Sequence, residues 1–161
     1  MAVITIGISD MSVVKGTDSI ITYALGSCVG VALYDGVKKI AGLAHIMMPA
    51  SADVRGVSVN VMKYVDTAVP ELLNRMLRLG AAQPNITAKV AGGAQMFQIE
   101  GASSQFNIGE RNIKAAKEIL RQLGIRVAAH DVGANYGRTV ELFAENGIYR
   151  IKAIAKGIKD I

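Results

Sequence analysis

Residues 28–47 read CVGVALYDGVKKIAGLAHIM: two apolar runs, 28–34 and 39–47, on either side of Asp35-Gly36. Aspartate and glycine both tolerate positive φ, so this pair between strand-like runs signals a β-hairpin. The hairpin also brings chemistry together, because it carries the single cysteine, Cys28, and one of the two histidines, His45. A two-residue turn pairs Tyr34 with Val37 and places Cys28 opposite Leu43, with His45 its diagonal neighbour on the same face. A four-residue loop places Cys28 directly opposite His45. A slip of one residue would send the two side chains to opposite faces.

Other strands extend outward from this hairpin. Residues 2–8 (AVITIGI) and 19–25 (SIITYAL) are rich in β-branched residues and are separated by the turn Lys15-Gly16-Thr17-Asp18. Residues 86–91, 125–131, 138–144 and 148–155 read as further strands, the last two joined across Glu145-Asn146-Gly147. Apolar residues at helical spacing predict a helix over 58–79, with Pro70 kinking it or dividing it in two. A second helix starts at Asn107, paired with Glu110 as a capping signal. It buries Ile113, Ala116, Leu120 and Leu123 and ends at Gly124. Arg111, Lys114, Lys117 and Arg121 form its solvated face. Seven or more strands exceed one small sheet, so the expectation is a single α+β domain over 1–161, built from two packed sheets with flanking helices.

Composition narrows the function. Of 161 residues, 51% are apolar and 19% charged, which excludes disorder as the overall state. No stretch has the roughly 18 apolar residues that a membrane span needs. The N-terminal MAVITIGISDMSVVKG lacks the basic region and cleavage site of a secretory signal, so a cytoplasmic protein without membrane insertion is expected. The net charge of +5 is scattered along the chain, and there is no Trp to interleave with it, so no nucleic-acid platform is expected. One cysteine excludes an internal disulfide and a cysteine-rich zinc site.

Nucleophilic chemistry through a thiol could use only Cys28, with His45 or His130 as base. His130 has no local relation to the cysteine, whereas both even-numbered hairpin loops bring His45 to its face. A thiol is mostly protonated at neutral pH, and an adjacent imidazole can activate it for acyl transfer. Backbone N–H groups of the small segment Gly26-Ser27-Cys28 are candidate donors to the developing oxyanion. The imidazole also needs an orienting acceptor, which hairpin geometry alone does not select. Amide hydrolysis by this route requires neither metal nor organic cofactor.

Thr22-Tyr23-Ala24-Leu25-Gly26-Ser27-Cys28-Val29-Gly30-Val31 and Ala44-His45-Ile46-Met47-Met48-Pro49 give the chain a resemblance to the chemoreceptor glutamine deamidases of the CheD family. In order and spacing follow Lys63-Tyr64-Val65-Asp66, Gly92-Gly93-Ala94-Gln95-Met96-Phe97, Ile108-Gly109-Glu110-Arg111-Asn112, and the stretch from Asp131 to Arg138. It implies an α/β/β/α sandwich of two mixed sheets, similar to the cysteine hydrolase domain of cytotoxic necrotizing factors. It implies Cys28 as nucleophile, His45 as base and Thr22 as orienting residue. The implied activity converts particular glutamines of methyl-accepting chemotaxis receptors to glutamate, releasing ammonia, as part of chemotaxis adaptation. The implied partner is a CheC-type phosphatase, for which Phe97, Phe106 and the basic helix face are candidate contacts. An adaptor that binds receptors and this phosphatase without turnover is the alternative. The chain departs from the resemblance at Gly133-Ala134, where the family tends to have two glycines; an alanine there is strained if its φ is positive.

Overall fold

The structure is a computed structural model, and it describes residues 1–51, 60–96 and 107–161. Phe97 and Phe106 lie outside the described residues. In chain order the elements are β1 (Val3–Ile6), β2 (Asp10–Lys15), β3 (Ser19–Leu25), β4 (Val29–Asp35), β5 (Ile40–Ile46) and α1 (Val65–Arg78). A short 3-10 turn, Gln83–Asn85, leads into β6 (Ile86–Gly92). Then come α2 (Ile108–Gln122), β7 (Arg126–Val132), β8 (Arg138–Phe143), β9 (Tyr149–Ala153) and β10 (Gly157–Asp160).

The strands form two five-stranded mixed sheets, ordered β1-β3-β8-β9-β10 and β2-β5-β4-β6-β7. This is the expected α+β class with two mixed sheets and packed helices, though among the described residues no helix covers the first sheet, as an α/β/β/α sandwich would require. Both helices pack on the second sheet, α1 on β2 and β5, α2 on β4, β6 and β7. Helices, second sheet and first sheet therefore stack in that order among the described residues. One apolar cluster, including Val31, Ile46, Leu72 and Leu120, fills the space between helices and sheet. Another, including Ile20, Leu43, Leu142 and Tyr149, lies between the sheets.

The β4–β5 hairpin forms, with a register that differs from both expected ones. Val29 pairs with Ile46, Gly30 with His45 and Asp35 with Ile40, leaving residues 36–39 as the loop. The reason is Asp35. Its buried carboxylate accepts from the N–H groups of Val37, Lys38 and Ala82, so it anchors the end of β4 and cannot occupy the turn itself. Burial pushes this carboxyl up, but those hydrogen bonds outweigh it and hold the pKa below the usual range. Lys39, with a φ of 56°, completes the reversal. Compared with the expected registers, the partner of Cys28 moves by an even number of positions. The cysteine and His45 therefore keep a common face as diagonal neighbours.

Further differences appear along the chain. The segment 10–15, of which only Lys15 was assigned (to a turn), is a strand of the second sheet, and β1 and β3 lie side by side in parallel in the first. Ser9, with a φ of 56°, turns the chain from one sheet to the other. The expected strand 148–155 is β9 and ends at Ala153, and a further strand, β10, follows and pairs with it across a turn that includes Ala155 at a φ of 64°. Finally, α1 begins at Val65 and runs without interruption through Pro70. With the helix starting so late, Pro70 falls in its second turn and forfeits one intrahelical bond, so the helix continues.

The α2 cap is as read, with the Asn107 side chain accepting from the Glu110 N–H at 3.1 Å. Lys114 and Arg121 on its outer face pair with Glu110 and Glu118 of the same helix. Between β7 and β8, Ala134 holds a φ of 61°, and its carbonyl accepts from the Gln95 N–H. A left-handed alanine costs roughly 1–2 kcal/mol, part of which glycine would return as chain entropy in the unfolded state. Ala134→Gly should therefore stabilise the protein by about 0.5–1 kcal/mol in urea unfolding. A loss of stability would show that the loop does not carry this strain.

Candidate active site

β5 is buried on both faces. Ile40, Ala44 and Ile46 face the helices, and Ala41 and Leu43 face the first sheet, which carries His45 to the inter-sheet side as well. On β4 the same alternation sends Ala32 and Tyr34 inward. Cys28, just ahead of the strand, packs against the same inter-sheet cluster while remaining partly exposed.

The first sheet supplies the third group. Thr22 on β3 is fully buried, and its Oγ1 lies 2.7 Å from His45 Nδ1 and 3.0 Å from the carbonyl oxygen of Ile6. Ile6 sits beside Thr22 in the parallel β1–β3 pair. A carbonyl can only accept, so the threonine hydroxyl donates its one hydrogen to Ile6 and must accept from the imidazole. This fixes the tautomer: Nδ1 carries the proton and Nε2 presents a lone pair. His45 Nε2 is buried and has no hydrogen-bond partner among the described residues. Such a group is an acceptor prepared for a proton.

Directly after Thr22 the β3–β8 ladder slips, with Leu25 rather than Ala24 resuming the pairing opposite Arg138. Ala24 takes a φ of 59° in this bulge. The bend carries Gly26, Ser27 and Cys28 from the first sheet across to the second. The glycine pair after β6 secures the crossing. Gly92 has a φ of 95°, and any side chain there would collide with the Cys28 carbonyl. The next N–H, of Gly93, donates to that carbonyl at 2.8 Å, and Ala94 N–H donates to the carbonyl of Gly26. Gly92-Gly93 thus serves as the bed on which the cysteine segment rests.

Burial acts on both titratable groups. It pushes the Cys28 thiol up, opposed by the cysteine's own N–H, and it pushes the His45 imidazole down to about 4. Both effects favour a neutral thiol beside a neutral imidazole over an ion pair. His130 lies on edge strand β7, paired with Val90, away from this hairpin. Among the described residues no group of three His, Cys, Asp or Glu side chains is placed to hold a metal ion.

Residues 47–153 match the family model described as CheD chemotactic sensory transduction. The chain is 45% identical over 158 residues to a protein of Lachnoclostridium phytofermentans named "Probable chemoreceptor glutamine deamidase CheD", covering 98% of each chain. A protein of the same name from Caldanaerobacter subterraneus is 45% identical over 99% of this chain and 98% of its own. The chain belongs to the CheD family. The family-model match starts after Thr22, Cys28 and His45, whereas the alignments with whole CheD relatives take in nearly all of the chain.

One residue of this CheD site escaped the sequence reading. Asn112 of α2 is fully buried, and its Nδ2 donates to the carbonyls of Ser27 at 2.9 Å and Met47 at 3.1 Å. The available signal was its helical spacing from Ala116 and Leu120, which puts an amide on the buried stripe. Gly26 and Ser27, read as candidate oxyanion donors, do flank the thiol, with Met96 packed over Gly26.

Two outcomes follow from the neutral pair. Alkylation of Cys28 by iodoacetamide should accelerate steadily as pH rises into the alkaline range. A rate already at its plateau at neutral pH would mean a preformed thiolate–imidazolium pair. In the unfolded chain His45 takes up its proton near 6.5, but in the native protein only near 4. The stability contributed by the neutral imidazole is thus present above 6.5 and lost as pH falls through that window. The loss should reach up to about 1.4 kcal/mol per pH unit, read from urea midpoints.

Proposed function

We propose that this chain deamidates glutamine side chains of chemoreceptors, with Cys28 as nucleophile, His45 as general base and acid, and Thr22 as the orienting residue. The single observation that carries the reading is the unpartnered Nε2 of His45. Its proton is held on Nδ1 by Thr22, and its face of the hairpin is shared with a partly exposed thiol. The deamidase names of relatives aligned over nearly the whole chain supply the substrate class.

In this mechanism His45 Nε2 removes the Cys28 proton as sulfur attacks the amide carbon of a receptor glutamine. The carbonyl π electrons move onto oxygen, giving a tetrahedral oxyanion stabilised by backbone N–H groups. Collapse breaks the carbon–nitrogen bond, and the imidazolium returns its proton to the departing nitrogen, which leaves as ammonia. Water, deprotonated by the same Nε2, then attacks the thioester. A second collapse releases glutamate and restores the thiol. Because the imidazole starts neutral, its role as base is available throughout the physiological pH range. A CheC-type phosphatase belongs to the same reading as a binding partner.

The test is mass spectrometry of a receptor cytoplasmic fragment incubated with the protein. Wild type should give an amide-to-acid mass gain at specific glutamines, and Cys28→Ala and His45→Ala should give none. Thr22→Val keeps the shape but removes the acceptor for Nδ1–H, and should slow turnover by about 10- to 100-fold without abolishing it. Turnover by Cys28→Ala at the wild-type rate would eliminate the assigned nucleophile. A wild-type protein that binds the fragment and leaves its amides intact would point to the adaptor role instead.

A further inference from the structure

Asn112 occupies a position on α2 that spacing assigns to the apolar core, between Gly109 and Ala116. Its amide instead grips two carbonyls. One belongs to Ser27, immediately before Cys28, and the other to Met47, two residues after His45. A single side chain therefore ties the helix layer to both segments that bear the reacting groups. An apolar residue of similar volume could fill the space but could donate to neither oxygen.

The bond to Ser27 has a directional consequence. None of the peptide bonds described is cis, so the Cys28 N–H points opposite to the Ser27 carbonyl. That carbonyl is turned toward α2, on the helix side of the second sheet. The N–H is accordingly turned toward the inter-sheet side, where the thiol packs. Among the described residues no backbone carbonyl accepts from it. Were the peptide to turn over, a carbonyl oxygen would stand where negative charge develops.

We propose that Asn112 is a positioning residue which, by holding the Ser27 carbonyl, aims the Cys28 N–H at the oxyanion formed when the thiol attacks an amide. The inference rests on the deamidase reading above. It separates two properties of the cysteine. Amide hydrolysis passes through an oxyanion and needs the donor, whereas alkylation by iodoacetamide is displacement at a saturated carbon and does not.

The experiment compares wild type, Asn112→Ala and Asn112→Asp, the last nearly isosteric but presenting an acceptor to the two carbonyls. For each, kcat and KM on a receptor cytoplasmic fragment are measured beside the iodoacetamide rate of Cys28 and the thermal midpoint. Both variants should lose about 100-fold in kcat, with KM and the alkylation rate within about 2-fold of wild type. An unchanged kcat overturns the proposal. So does a parallel fall of deamidation and alkylation, or failure of both variants to fold, since each marks Asn112 as a structural brace. If wild type deamidates no glutamine while its thiol still alkylates, the deamidase reading itself fails, and that result is distinct from all of these.

Discussion

A strand with no exposed side can be placed in only one way. All seven residues of β5 are buried, with Ile40, Ala44 and Ile46 committed to the helix side and Ala41 and Leu43 to the inter-sheet side. A slip of one residue would drive His45 into the helix-facing core and expel packed aliphatic side chains toward the opposite sheet. Asp35 locks this register from the hairpin end, because its carboxylate is consumed by three backbone N–H groups, one of them in the segment after α1. The position of the imidazole follows from hydrophobic burial and one buried carboxylate, before any catalytic demand is considered.

The first sheet completes what the β4–β5 hairpin of the second starts. Burying a histidine is costly unless its ring nitrogens are satisfied. Here Nδ1 is satisfied, through Thr22 and on to the Ile6 carbonyl, and Nε2 has no partner among the described residues. In a purely structural histidine an unpaired buried nitrogen would be a defect. Beside a partly exposed thiol it is an unused acceptor that keeps the imidazole neutral and poised. The inter-sheet packing thus does two jobs: it supplies the core and it sets the protonation state of the candidate base.

The sequence made the strongest statements where physics is local. The hairpin, the Asn107 cap and the turn at Gly147 each depend on a few adjacent residues, and each stands in the fold. It did less well where distant groups compete. The expected hairpin register gave way to the Ala82 N–H, which draws Asp35 out of the turn. The segment 10–15, not assigned as a strand from its own residues, becomes one by pairing with β5. Pro70 predicts a break, but a helix that starts at Val65 loses little by keeping it. Asn112 has no local signature at all, since its partners lie 85 and 65 residues away in the chain.

The sequence by itself determined that one thiol, Cys28, could act, that an even hairpin register would bring His45 to its face, and that family resemblance would make Thr22 the orienting residue. Side-chain alternation in a strand is a property of the backbone, so parity survived even though the register moved. Only the tertiary structure decided which tautomer His45 adopts, what holds the cysteine segment and which way its peptide faces. Those outcomes depend on the Ile6 carbonyl, the Gly92-Gly93 bed and the Asn112 amide, contributed by three elements that meet only when two sheets and a helix pack together.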